Sequence, residues 1–316
     1  MANRYDRIKK ALSLQQPDDK VPCYEGLLSC AQHVLGHHLT TNEDFARLAS
    51  ESERERLRGQ VVDDYIELAD TLDWSLIMVY APFAGPDHLA VISRLRELVD
   101  GKIMVGSWVC GGSYTIPEGA DLERFCYWLC DEPDEVHERA GQMVNTANEW
   151  GKQCIDAGSE LVILANDIAF NQGPFLSPKQ FSEYVTPYLT EHVAYLKSLG
   201  AWVVFHSDGD LMPVLDQIVS SGIHGLNPID PMAGMDIAEV KRLYGDKIAL
   251  FGNVQCDLVH RGPLESISQS GRYALESAKQ GGGLVYCTSS EVFEDTPWEN
   301  YQAVIDARVK WGNYAI

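Results

Sequence analysis

Eight short, almost continuously apolar runs recur along this chain: 20–26 (KVPCYEG), 75–80 (SLIMVY), 102–109 (KIMVGSWV), 160–167 (ELVILAND), 201–208 (AWVVFHSD), 223–229 (IHGLNPI), 247–253 (KIALFGN) and 283–290 (GLVYCTSS). A strand with one wet face alternates apolar and polar residues. These runs do not, so each needs cover on both faces, as parallel strands flanked by helices have. The stretches between them carry helix stops and starts. Gly158, Gly200, Gly222 and Gly245 stand just ahead of the next strand, where a left-handed helix cap belongs. Ser177-Pro178-Lys179-Gln180 and Thr296-Pro297-Trp298-Glu299 each read as a capping hydroxyl, a first-turn proline and a reciprocal Gln or Glu. No glycine-rich dinucleotide fingerprint follows the first run, so the alternation predicts an α/β fold of the (β/α)8 TIM-barrel type rather than a doubly wound sheet. Two connections are long and helical by pattern, 27–73 after the first strand and 110–159 after the third. No linker or low-complexity tract divides the 316 residues, which predicts a single domain over 1–316 with an N-terminal helical extension over about 1–19.

Composition enters by exclusion. A net charge of -21, from 46 acidic against 25 basic residues, repels phosphate backbones and anionic lipid, so neither nucleic acid nor a membrane is an expected partner. No run approaches the ~20 apolar residues of a membrane helix, and the first twenty residues lack the apolar core of a signal peptide, so a cytoplasmic location is expected. The 8 cysteines form no tight framework and are expected reduced and mostly buried; Cys126 and Cys130, four apart on one helical face, read as core packing.

In a barrel of this kind the last residues of each strand face one shared mouth. Those residues are Glu25, Tyr80, Trp108, Asp167, His206 with Asp208, Asn227, Asn253 and Cys287, a polar set on otherwise apolar strands. His206 and Asp208 stand two apart, hence on one side of a strand. Imidazole, carboxylate and thiol from His206, Asp208, Asp167 and Cys287 suit Zn²⁺ in a site that keeps an open position for substrate. The same residues also admit a structural role, with Asp208 holding one His206 tautomer and Cys287 packing.

The run FHSDGDLMPVLDQIVSSGIHGLNPIDPMAGMDIAEVKRLYGDKIALFGNVQ (205–255), with SPKQFSEYVTPYL (177–189) before it and TPWENYQAV (296–304) after it, resembles the uroporphyrinogen decarboxylase superfamily, and within it the branch of corrinoid-dependent methyltransferases. The resemblance implies a (β/α)8 barrel, in agreement with the strand count, and dimers are common in the superfamily, so a homodimer is compatible with it. The decarboxylase holds its eight-carboxylate substrate with arginines near the first strand; the corresponding VPCYEGLLSCAQHVLG (21–36) has none, and Glu25 would repel that substrate. In the methyltransferase branch zinc is held by a His-x-Cys pair, a later Cys and often an acidic residue. His206 matches the histidine, Asp208 replaces the first cysteine, Cys287 matches the second, and Asp167 stands as the acidic partner.

A carboxylate in place of a thiolate makes a harder ligand set, better suited to an oxygen ligand than to a thiol. The resemblance so modified implies an O-demethylase component: a methyltransferase moving methyl from a methoxylated, aromatic substrate to the cobalt of a separate corrinoid protein. In that reading His206, Asp208 and Asp167 are catalytic, while Glu25, Tyr80, Trp108, Asn227 and Asn253 bind substrate. This chain carries no Asp-x-His-x-x-Gly signature for a corrinoid, so the cobalamin is expected on a corrinoid-binding partner. Open alternatives are a methyl-corrinoid:acceptor methyltransferase, a decarboxylase or lyase for a small carboxylic acid with His206 as acid and base, and a barrel that binds without catalysis.

Overall fold

A computed structural model describes residues 3–117 and 119–314; residues 1–2 of the expected N-terminal extension lie outside them. Seven parallel strands make one sheet in chain order: β1 (Leu76–Val79), β2 (Met104–Cys110), β3 (Leu161–Ala165), β4 (Trp202–His206), β5 (Gly225–Asn227), β6 (Ala249–Val254) and β7 (Leu284–Thr288). Each falls within, or within a residue of, an apolar run. The near-continuous hydrophobicity has a direct cause. On β3, Leu161 and Ile163 pack into a cluster inside the curled sheet with Met78, Met104, Val204, Phe251 and Val285, while Val162 and Leu164 pack outward against helices. Both faces are dry, so neither can be polar.

The expected eighth strand is the exception. Residues 20–26 form only isolated bridges, one of them parallel between Cys23 and Tyr286. Tyr286 N donates to Pro22 O (2.9 Å), and Ser75 N donates to Cys23 O (2.8 Å), so the segment touches β7 on one side and the residue before β1 on the other. Pro22 brings no N–H, which prevents a regular ladder there. Among the described residues the parallel sheet therefore has seven regular strands, not the eight of the barrel expected from sequence, and a separate antiparallel pair joins Ala169–Phe170 to Gly173–Pro174.

The helix Arg4–Leu12 closes the N-terminal end of the strands: Ile8, Ala11 and Leu12 join the inner cluster. The first long connection holds helices Gln32–Leu35, Asn42–Ala46 and Glu51–Thr71, the second Ala120–Asp131 and Pro133–Asp156, both as expected. Among the described residues no helix is long and apolar enough to cross a membrane.

Three local expectations are corrected. Ser177 and Gln180 do form the reciprocal cap, but Thr296 does not cap the helix Trp298–Trp311; its buried hydroxyl meets His260 Nδ1 instead (3.4 Å). Gly245 is right-handed (φ -67), unlike Gly158, Gly200 and Gly222. Cys126 and Cys130 are exposed because Phe125 and the partly buried Trp128 and Leu129 supply the inward stripe of their helix; Cys110, at the end of β2, is exposed as well.

Two histidines outside the strand ends make the fold acid-sensitive. His224 Nδ1 accepts the Val203 N–H (2.9 Å), a bond that only an unprotonated nitrogen can take, and burial, helped by Lys197, pulls its pKa down to about 4. Burial does the same to His192, also to about 4. A depressed histidine favours the fold while neutral, so its contribution is present above the unfolded value of ~6.5 and is lost as pH falls towards about 4. The urea midpoint is expected to drop across that window, and less in His224→Gln, whose side-chain oxygen can still accept the amide.

Candidate active site

The C-terminal strand ends surround a cavity of about 370 Å³. Glu25, Tyr80, Trp108, Asp167, His206, Asn227 and Cys287 line it, as expected from their places in the chain. The register explains the convergence: Cys110, Ala165, His206 and Asn227 are successive partners across β2 to β5 and form one row at the rim.

His206 ends β4. Its Nδ1 lies 2.6 Å from Asn227 Oδ1, and Asn227 Nδ2 donates to Tyr24 Oη at 2.8 Å. An amide oxygen only accepts, so Nδ1 carries the imidazole proton and Nε2 is left with its lone pair, 3.7 Å from Asp167 Oδ1. The Tyr24 hydroxyl, whose lone pair takes the Asn227 proton, stands beside the Cys287 sulfur. A chain of polar contacts thus runs from His206 to Cys287, three strands away. Tyr24→Phe removes the acceptor that orients Asn227. His206 is then expected to populate both neutral tautomers, read from imidazole ¹H–¹⁵N correlations at neutral pH; a spectrum like wild type would mean that something else holds the ring.

Asp167 follows β3, and its Oδ1 accepts the Asp208 N–H (3.1 Å). Asp208 Oδ1 is buried without a partner, an expensive state for a carboxylate. Burial, with Asp167 and Asp230 adding to it against His206, pushes the Asp208 carboxyl up to about 6. The loop that carries it is tightly specified. Gly209 has φ +93, a Cβ there would lie 2.4 Å from Ala169 O, and its N–H is held by Asp230 Oδ2 (3.1 Å).

Ligand atoms of Asp167, His206 and Asp208 all lie within 4.8 Å of one another. Two carboxylates, a free imidazole nitrogen and an unpartnered buried oxygen are a donor set that fits a divalent cation such as Zn²⁺. Cys287, expected as a fourth ligand, is not part of this cluster. It lines the same cavity from β7, where burial and then Glu25 push its thiol pKa well up.

Other expected residues have different neighbours from those the strand pattern suggests. Asn253 does not line the cavity: Gly252 (φ +132) breaks the alternation after Phe251, and Asn253 Nδ2 donates to Ile229 O at 3.1 Å. Glu25 lines the cavity but is tied down by Thr288 Oγ1 (2.6 Å) and Tyr301 Oη (3.4 Å), and burial pushes its carboxyl up to about 7. Sequence reasoning missed Tyr24, Phe83, Cys110 and Glu291, which also line it. Cys110 had a signal: it continues the inward series Gly106, Trp108 by one step beyond the run that ended at Val109. Phe83 and Glu291 sit on loops, where no period points inward.

Residues 60–311 match the family described as uroporphyrinogen decarboxylase (URO-D). The chain is 24% identical over 224 residues to a methylcobamide:CoM methyltransferase, MtaA, of Methanosarcina barkeri, covering 71% of this chain and 63% of that protein. A uroporphyrinogen decarboxylase of Coxiella burnetii is 26% identical over 189 residues, 57% of this chain and 48% of the relative. The chain therefore spans about half to three-fifths of the length of these curated relatives. Among solved structures, a methyltransferase from Methanosarcina mazei shares the fold with a TM-score of 0.75 at 16% identity, over 98% of this chain and 99% of that one.

Proposed function

Because this chain belongs to the uroporphyrinogen decarboxylase (URO-D) family, we propose that it is one of the family's methyltransferases, moving a methyl group from a heteroatom of a small donor to the cobalt of a corrinoid carried by a separate protein. The observation that carries this reading is the Asp167–His206–Asp208 cluster opening on a cavity that, among its described lining residues, has aromatic rings and carboxylates but no Lys or Arg. A decarboxylase for a polycarboxylate needs the opposite charge, which also weighs against a lyase acting on a small carboxylic acid. Similarity to a methylcobamide:CoM methyltransferase supports corrinoid chemistry and keeps the reverse direction, methyl-corrinoid to acceptor, as the second reading.

The residues divide the work. Asn227 holds His206 with Nε2 facing Asp167, Tyr24 holds Asn227, and Trp108 meets the His206 ring edge-on at 5.5 Å. Trp108, Tyr80 and Phe83 offer apolar surface that orients the donor and excludes water. A divalent ion held by Asp167, His206 and Asp208 would supply Lewis acidity at the oxygen of an O-methyl donor and none at a quaternary nitrogen, which has no lone pair. The hard ligand set suits an oxygen-linked methyl, and an aryl methyl ether free of carboxylate is the O-linked form of the proposal. The test mixes the protein with a Co(I) corrinoid protein and a panel of O- and N-methyl donors, following methylcobalt absorbance. Turnover with at least one donor is expected; the absence both of methylcobalt formation from every donor and of methylcobalt consumption by a thiol acceptor would remove the proposal.

A further inference from the structure

The cavity's charge narrows the substrate class, an inference that rests on reading this cavity as the substrate site. We propose that the donor is an N-methylated ammonium, a quaternary cation whose charged head sits among aromatic rings. Tyr80, Phe83 and Trp108 line the cavity, with Tyr80 and Phe83 in edge contact at 5.7 Å. Aromatic faces are the electronegative side of the ring and attract a cation too bulky and too weakly hydrated to prefer water. Around them stand the carboxylates of Glu25, Asp167 and Glu291.

Among the described lining residues no Lys or Arg offsets these acids. Glu291 takes its hydrogen bond from the neutral Ser29 Oγ (2.6 Å) and Glu25 from Thr288 and Tyr301; among the described residues neither forms a salt bridge. A divalent ion on Asp167 and Asp208 would neutralise that pair and leave Glu291 facing the same space, with Glu25, whose carboxyl burial pushes up to about 7, only partly ionised beside it. The sign of the cavity therefore survives metal loading. Among the described lining residues an anionic donor such as a methoxybenzoate meets carboxylates and no Lys or Arg, whereas an ammonium meets counter-charge and π faces together.

The reaction balances without a proton. The C–N bond of R₃N⁺–CH₃ breaks with its electron pair left on nitrogen, the Co(I) of the partner's corrinoid supplies the pair for the new Co–C bond and becomes Co(III), and the amine departs neutral. The fixed charge of the quaternary nitrogen is gone in the product at that moment, and the amine regains charge only by taking a proton.

Binding separates this inference from the methyl-transfer reading, because it needs no corrinoid. Choline, its uncharged isostere 3,3-dimethyl-1-butanol, 1,2-dimethoxybenzene and 4-methoxybenzoate are titrated calorimetrically into the protein, with and without added Zn²⁺. Choline is expected to bind about tenfold tighter than the isostere and 4-methoxybenzoate weakest, with the choline advantage reduced in Trp108→Leu and in Glu291→Gln. Equal affinity for choline and its isostere, or tighter binding of 1,2-dimethoxybenzene, would overturn the cationic class and leave the O-linked donor standing. A choline advantage untouched by both substitutions would overturn it too, by placing the cation elsewhere. Failure of all four probes to bind would overturn the inference together with the reading of this cavity as the substrate site.

Discussion

His206→Ala is expected to lower the rate of methylcobalt formation by about 10²–10³-fold at saturating donor, the scale set by removing one preorganised polar group from a reacting centre. The imidazole is where the core of β4 ends and the cluster begins: Nδ1 is spent on Asn227 and Nε2 faces Asp167, so no neighbouring side chain can take its place. Its side chain is 18% exposed and its loss opens space towards the cavity rather than in the packed layers, so the urea midpoint should move little. Metal affinity, read by dialysis against Zn²⁺, should fall with the rate. Asn227→Ala, which leaves the imidazole but frees its tautomer, is expected to cost less, about 10–100-fold. Wild-type rates in His206→Ala would remove the cluster from the mechanism.

The largest effect on stability is expected far from the cavity. Asp73 is bound at once by Lys20 (2.7 Å), Arg7 (3.0 Å) and Arg308 (3.1 Å), and so joins the N-terminal helix, the bridged segment, the residue run into β1 and the C-terminal helix. The two guanidinium side chains are 8% and 5% exposed. Asp73→Ala leaves Arg308 with the Val21 carbonyl alone and Arg7 with Asp19. Breaking one member of a buried charge set is worth about 3–5 kcal/mol, and because Asp73 itself is 34% exposed the lower end, about 3 kcal/mol, is the expected loss in urea unfolding. Burial alone would raise the Asp73 pKa; Lys20, Arg308 and Arg7 outweigh it and hold the carboxyl at about 2. A depressed carboxylate stabilises above its unfolded value and stops doing so as pH falls through its folded one. The Asp73 contribution is therefore complete above about 4 and lost as pH falls from there through about 2, below the window in which His192 and His224 act, and a pH series on the variant and the parent should separate the two. A loss under about 1 kcal/mol would mean that the network is dispensable.

How far each part of the molecule could be read in advance follows from the range of the forces involved. The seven strands are readable because double-sided burial disfavours polar residues over three to seven consecutive positions, a local signature. The strand at 20–26 looked the same in composition, and Pro22 was the local warning that its ladder is incomplete. His206, Asp208 and Asp167 come together because strand ends share a rim; the pattern gives their height in the fold. Asn253 had the same height and was misplaced, since its orientation depends on the backbone turn at Gly252. Cys287 was given the right rim and too close a role: register along a strand says nothing of distance around it.

Sequence alone determined the alternation of dry strands with capped helices, the acidic surface and the set of residues that can reach the mouth, because periodicity, caps and charge act over a few residues. Tertiary structure alone decided that Asp208 Oδ1 is buried without a partner, that Asn227 and Tyr24 fix the His206 proton, and that among the described lining residues the acids around the cavity meet no lysine or arginine. Those properties arise where side chains up to two hundred residues apart come within hydrogen-bonding range, and desolvation at such a place is set by everything packed around it.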